Sequence, residues 1–506
     1  MSQPAPSMHK MHKKTAAVEI SAGVERLLMV GISIVLLVPC FWQPRIVAGD
    51  LSSHAYNAWL ATEVRAGHAP GLSIVTVWTN VLTDWFLELL ARSVGSNLAT
   101  QLVVAGAVSV FFWGAFFLLN VTSGRRPWML CPLVGILTYG LVFQMGFLNF
   151  YLSVGLCLWI LGLLWRPSRK NLSYAAPLVL LAVLAHALPL VWAVTVAGYL
   201  YVFRKLSATS RLLLPMLGIV GLMAAQQVLL ARFPGRWSWS DIASLKGLTG
   251  LLGVDQAWIY DEKYLVVAAA MSLCLMILFM ESADDMDFIE QPYLQLWILH
   301  LAAFVLLPSA IQLPQYQHVL AYIPERISLL VAIVFLILVG KANYGRGITR
   351  LSGVVAVAFF LFLYLDSMAL NRAETEITRV VSEAPEGSRV IASIIDDGAR
   401  VNGLGHVADR ACIGHCYSYA NYEPATAQFR IRATTEGGAA SPSMQTVQEI
   451  ERGQHIVTPA EAPLFAVCAS DTEPGNIKLR QIGAGERTCA SARVITFRPL
   501  QGIAGL

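Results

Sequence analysis

Runs of apolar residues long enough to cross a bilayer recur along this 506-residue chain, and nothing else constrains its fold as strongly. A helix needs about 20 such residues to span the hydrocarbon. Candidates are 27–43, 97–120, 128–147, 149–165, 212–230, 264–281, 292–310, 326–340 and 351–368. Only 13% of the residues are charged and 56% are hydrophobic, with a mean hydropathy of +0.59. Soluble domains carry about 25% charged residues, so the expected class is mainly α, a polytopic helical membrane protein. The net charge of +4 is small, and no nucleic-acid partner is expected. The basic segment 1–26 reads as a cytoplasmic tail, and the run from Leu27 as a retained span rather than a cleaved signal.

Residues 174–203 are too long for one straight span, and Pro189 in "AHALPL" disfavours a continuous helix. Read as a hairpin of two short helices, they leave four basic clusters on the side of Lys10, Lys13, Lys14 and Arg26. Those clusters are Arg125/Arg126, Arg166/Arg169/Lys170, Arg204/Lys205/Arg211 and Lys341/Arg346/Arg350. The positive-inside rule therefore favours the hairpin, which gives about eleven spans and a cytoplasmic N-terminus. The acidic loop 281–292 is then also inside.

In that orientation the polar segments 44–96, 231–263, 311–325 and the tail from 369 to 506 lie outside. The tail holds Cys412, Cys416, Cys468 and Cys489, an even number suited to an oxidising compartment, with three pairings open. Strand-like "SRVIASII", "APLFAVC" and "ARVITF" alternate with a helical "SMQTVQEIERG", predicting a small α/β domain. A zinc site around His415 has weak spacing, and disulfides are favoured.

The stretch "GDLSSHAYNAWLATEVRAGHAPGL" (49–72) follows the first apolar run directly. Asp50 precedes a helical pattern, so it is a candidate N-cap. Leu51, Ala55, Ala58 and Thr62, with Tyr56, Leu60 and Val64, predict an amphipathic helix at the membrane surface. A second stripe, Ile74, Val77, Trp78, Val81, Leu82, Trp85 and Leu89, predicts another, flanked by Asn80, Asp84, Glu88 and Arg92. Asp50 and His54 stand one helical turn apart, a spacing at which carboxylate and imidazole can take a proton from a hydroxyl or meet a polyphosphate.

One span, an outer loop beginning with an acid, two juxtamembrane helices and a second span resemble the GT-C class of membrane glycosyltransferases. The match runs from Pro44 to Leu72, with Asp50 in the place of the class's essential acid. The resemblance implies a bacterial cytoplasmic-membrane enzyme that takes a sugar from a polyprenyl-phosphate carrier and uses the bilayer as its other partner. The paired acids of several members are missing, so a divalent cation is allowed but not required. No WWD motif is present, which argues against protein N-glycosylation. A transporter or lipid flippase, or a noncatalytic envelope component, are the rival classes; no matching halves are visible.

Further candidates follow from residue type. In "LPQYQHVLAYIPER", Gln315, Gln317, His318 and Tyr322 can bond a sugar, while Arg326 can grip a phosphate or simply pair with Glu325. Asp84, Arg232 and Arg236 are candidate substrate contacts, the arginines as phosphate clamps. His186, deep in an apolar run, is read first as a neutral side chain bonded to a carbonyl freed by Pro189, and second as a site residue. Asn149 is assigned to turn chemistry.

Overall fold

A computed structural model describes residues 21–282, 291–317, 319–341, 345–395, 399–426, 428–434, 441–469, 477–489 and 493–494. Apolar sequence forms α1 (Ala22–Phe41), and Asp50 immediately precedes α2 (Leu51–Ala66). Strand β1 (Leu72–Ile74) and helices α3 (Leu82–Val94) and α4 (Ser96–Ser123) follow. The second juxtamembrane stripe is thus not one helix: its first residues form a strand, and helix begins only at Leu82. The run 128–147 is also broken, into α5 (Cys131–Thr138) and α6 (Leu141–Gln144). Gln256 Oε1 accepts from the freed Val142 N at 3.2 Å, which supplies the partner that irregular backbone among helices requires.

Helices α7 (Leu148–Leu164), α8 (Arg169–Ala185), α9 (Ala187–Lys205) and α10 (Ala208–Arg232) come next. Segment 174–203 is a hairpin, as expected. The chain breaks at His186, and α9 returns until Arg204 Nη2 donates to Trp165 O at 3.2 Å, back where α7 ends. After β2 (Gly235–Arg236) and the short α11 (Trp239–Ala243) and α12 (Leu245–Gly250) come α13 (Lys263–Ser282), α14 (Pro292–Leu306), β3 (Ala310–Ile311), α15 (Ile323–Val339) and α16 (Arg346–Val381). Among the described residues, α1, α4, α9, α10, α13 and α16 are long and apolar enough to cross a membrane, and α7 and α14 are shorter apolar helices. The chain is a helical membrane protein by this measure.

Several of the basic clusters gather at one end of the helices. Arg126 pairs with Glu25, Arg125 donates to Gly340 O, Lys341 lies over Tyr293, and Tyr293 stacks on Trp165, over which Arg204 also sits.

The tail packs at the other end. Its elements are β4 (Arg389–Ala392), β5 (Ile394–Ile395), α17 (Val407–Ala411), β6 (Tyr417–Ser418), α18 (Tyr422–Ala425), β7 (Ile431–Ala433), α19 (Met444–Glu451), β8 (Leu464–Ala469), β9 (Ile477–Ile482) and β10 (Arg493–Val494). The main sheet runs β6-β4-β8-β9, with β4 parallel to both neighbours and β9 antiparallel to β8. Disulfides join Cys412 to Cys416 and Cys468 to Cys489. The boundary expected at residue 368 falls inside α16, which continues unbroken into the tail.

Tail and first polar segment are one packed unit. β7 pairs antiparallel with β1, and the buried Arg430 donates to Glu88 at 2.9 Å. Buried Arg410 makes a bidentate pair with Glu374 of α16 (2.7 and 2.5 Å) and donates to Ile46 O at 2.9 Å. Asn371 of α16 clamps both backbone groups of Arg45. For this reason α2 is covered on its polar face as well: ten of its residues, including the polar Ser52, Ser53, His54 and Asn57, are buried.

Candidate functional site

The approach to Asp50 is set by backbone contact. Asp50 N donates to Met145 O at 3.1 Å, and a Cβ on Gly49 would stand 2.2 Å from that same oxygen. A Cβ on Gly146, which has φ +78°, would meet Asp50 N at 2.4 Å. Glycine at both positions lets the two loops touch. The Asp50 side chain makes no cap bond to α2, so the capping expectation fails and the carboxylate is left for other partners.

Asp50 lines a cavity of about 380 Å³. Its walls include His54, Asn80, Asn149, Phe150, His186, Gln317, Tyr322 and Arg326, together with His406, Tyr422, Gln448 and Glu451 from the tail. Arg326, in the first turn of α15, sits over the rings of Phe147 (4.3 Å) and Phe150 (5.1 Å). Its Nε and Nη1 have no hydrogen-bond partner, and among the described residues no ion pair joins it to Glu325. Two unbonded nitrogens on a partly buried guanidinium are a standing site for an oxyanion.

The same arginine and Phe150 also line a second hollow of about 490 Å³, bounded by α9, α10, α14 and α15 and almost wholly apolar. Inside it His300 is paired with Trp192 (2.7 Å), and Tyr199 with Gln295 (2.5 Å). Arg326 thus stands where a polar cavity meets a greasy groove.

Behind Asp50 lies a buried polar relay. His54 Nδ1 meets Asp84 Oδ1 at 2.8 Å, Asn149 Nδ2 donates to Asp84 Oδ2 at 3.0 Å, and Asn149 Oδ1 accepts from Thr83 N at 2.9 Å. Burial opposes charge on His54, but Asp84, Asp50 and Glu423 outweigh it and raise the imidazolium to about 9. Burial likewise opposes charge on Asp84, yet His54, Arg430 and Asn149 hold its carboxyl below the usual range. The two form an ion pair, and His54 faces Asp84 rather than acting with Asp50 alone. Glu423, buried near Asp84, is pushed up to about 7.

On the tail side, His406 Nε2 lies 3.6 Å from Asp50 Oδ1, and its Nδ1 lies 3.2 Å from Asp409. Asp409 is held by Ser418 and by Asn421 Nδ2 at 2.8 Å. Burial disfavours the charged ring, but Asp409, Asp50 and Glu451 raise it to about 9. Burial also raises the Glu451 carboxyl.

The sequence expectations divide accordingly. Asp50, His54, His186, Gln317, Tyr322 and Arg326 line one cavity, and Asp84 stands directly behind His54. His318 lies outside the described residues. Arg232 is exposed at the end of α10 and lines neither this cavity nor the groove. Arg236 is exposed and paired with Asp241 at 3.1 Å, so neither arginine clamps beside Asp50. His186 bonds no freed carbonyl through its ring: Nδ1 accepts from Leu188 N at 3.3 Å, capping α9. Asn149 does more than shape a turn, as its bonds to Asp84 and Thr83 show. The cysteines near His415 are disulfide-bonded, and among the described residues no group of three or more His, Cys, Asp or Glu is disposed to hold a metal.

Missed from sequence were Tyr422, Gln448 and Glu451, which carry no local signal; His406 stands out there only as a neighbour of the weak zinc spacing at His415. Asn80 had one, being a polar residue in a tight approach; it adopts φ 56°. No known protein family, curated protein or solved structure matches the chain.

Proposed function

We propose that this protein is a membrane glycosyltransferase of GT-C type, with about eleven spans, an inside N-terminus and the tail on the extracytoplasmic face of a bacterial inner membrane. It takes a sugar from a polyprenyl-phosphate carrier and passes it to an acceptor hydroxyl. One observation carries the reading: Asp50 and the unpartnered Arg326 line the same cavity, and Arg326 also borders the apolar groove. A lipid-linked sugar phosphate has that order of parts: chain in the groove, phosphate at the guanidinium, sugar toward the carboxylate.

In this mechanism Asp50 takes the proton as the acceptor oxygen attacks the anomeric carbon. The bond from that carbon to the phosphate oxygen breaks, and polyprenyl phosphate leaves with its charge held by Arg326. Protonated His406, fixed by Asp409, faces the Asp50 carboxylate at 3.6 Å. The gathering of basic clusters at the far end supports the orientation. A transporter needs a polar site among the helices, whereas away from Arg326 the polar side chains of the groove, His300, Trp192 and Tyr199, are already bonded.

The test is purification in lipid, mass spectrometry of co-purifying polyprenyl-linked sugars, and turnover by Asp50→Asn. The variant should fold and bind lipid yet transfer nothing; near-normal transfer would remove the catalytic reading.

A further inference from the structure

A hollow of about 760 Å³, lined by Tyr322 but not by Arg326, lies between the linker 233–262 and the first turn of α15. The donor reading does not use it. Its wall contains two buried groups left without partners. Asp255, 1% exposed, has Oδ2 bonded by Ser328 (2.9 Å) and Arg400 (3.2 Å), but Oδ1 has no partner. Trp258 Nε1–H has none either. Each such orphan keeps its desolvation cost uncompensated, so a folded chain rarely holds two together without reason. Glu325 adds a carboxylate whose hydrogen bond comes from its own backbone N–H, and Trp237 adds a second indole.

The chemistry selects the occupant. Two carboxylates and an indole N–H among aromatic faces suit a ligand that offers many hydroxyls, each both donor and acceptor. An anion would meet Glu325 and Asp255. Of the described lining cations, Lys246 is exposed, Arg236 is paired with Asp241 and Arg400 with Asp255. A lipid chain would strand the polar wall.

The hollow also adjoins the cavity of Asp50. Tyr322 lines it, the Asp50–Arg326 cavity and a third hollow of about 340 Å³ bounded by Asp50, Asn402, His406 and Arg452. Tyr322 is a bulky residue at φ +59°, a conformation retained where the surroundings impose it and one that clusters at functional sites.

We propose that this larger hollow is a carbohydrate subsite, binding a neutral oligosaccharide through Asp255, Trp258 and Glu325. Its use as the acceptor's seat, with a hydroxyl led past Tyr322 to Asp50, rests on the transferase reading; sugar binding itself does not.

The experiment uses the full chain in lipid nanodiscs and measures tryptophan fluorescence and calorimetric binding of neutral trisaccharides of glucose, mannose and N-acetylglucosamine. At least one should bind. Trp258→Phe keeps the ring and removes one donor, and should weaken binding roughly fivefold. Glu325→Gln keeps the shape and should weaken it about tenfold or more. Asp50→Asn should bind as well as the parent, so loss of transfer and loss of sugar binding are read separately. Binding of none of the three sugars, or unchanged affinity in both Trp258→Phe and Glu325→Gln, would overturn the subsite. Sugar binding by a parent protein that transfers no sugar would overturn only the transferase reading.

Discussion

Asp50 Oδ1 and His406 Nε2 lie 3.6 Å apart, one before the second helix and the other in the tail. The contact makes the tail part of the site rather than an appendage. His406 faces Asp409 on its own element, Asp50 on the α2 approach and Glu451 on α19, and its ring is held at about 9 instead of 6.5. The pairing is therefore complete below about 6.5 and is lost as pH rises through about 9. Transfer should fall on an alkaline limb near that value, and His406→Gln should lower kcat and abolish that limb. An unchanged limb in the variant's pH–rate profile would exclude His406 from the site.

Arg326 offers a planar fork that lysine cannot reproduce. Arg326→Gln should weaken binding of a polyprenyl phosphate by about tenfold to a hundredfold, the worth of one charge-assisted bond. Arg326→Lys should recover only part of that. Titration of nanodisc-held protein with short-chain polyprenyl phosphate, by calorimetry, decides it.

The His54–Asp84 pair is buried, so removing one partner leaves an uncompensated group. Asp84→Asn should cost about 3–5 kcal/mol, seen as a lower thermal midpoint. The double variant with His54→Asn should lose less than the sum of the singles. Because His54 is raised to about 9 while Asp84 is depressed, the contribution holds near neutrality. It fades as pH passes about 9, and again in acid once Asp84 protonates. A midpoint flat from pH 7 to 10 would contradict this pairing.

Gly221 borders the apolar groove with nothing within 4 Å of its Cβ position. Gly221→Leu should fill groove space without strain in the helix. Affinity for a long-chain polyprenyl phosphate should fall several-fold while a short-chain analogue is unaffected; equal loss for both would show that chain length is read elsewhere.

The Cys468–Cys489 bridge closes a loop with a sequence separation of 21. Its loss through Cys468→Ser and Cys489→Ser should destabilise the tail by about 3 kcal/mol, measured as faster limited proteolysis in the tail with the helices intact.

Sequence alone determined the helical membrane class, the hairpin within 174–203, the disulfides and mixed strands and helices of the tail, and Asp50 and Arg326 as residues to watch. Those properties are local: apolar run length, backbone breakers, and residue type beside a span. The tertiary structure alone decided that Asp50 does not cap, that Arg232 and Arg236 lie elsewhere, and that Asn149 and Asp84 back His54. It also supplied His406, Tyr422, Gln448 and Glu451, whose approach depends on α16 running on past its span and on the Arg410–Glu374 pair seating the tail. A contact between chain ends leaves no period or spacing in the sequence, because its energy comes from desolvated pairs that exist only once the helices are packed.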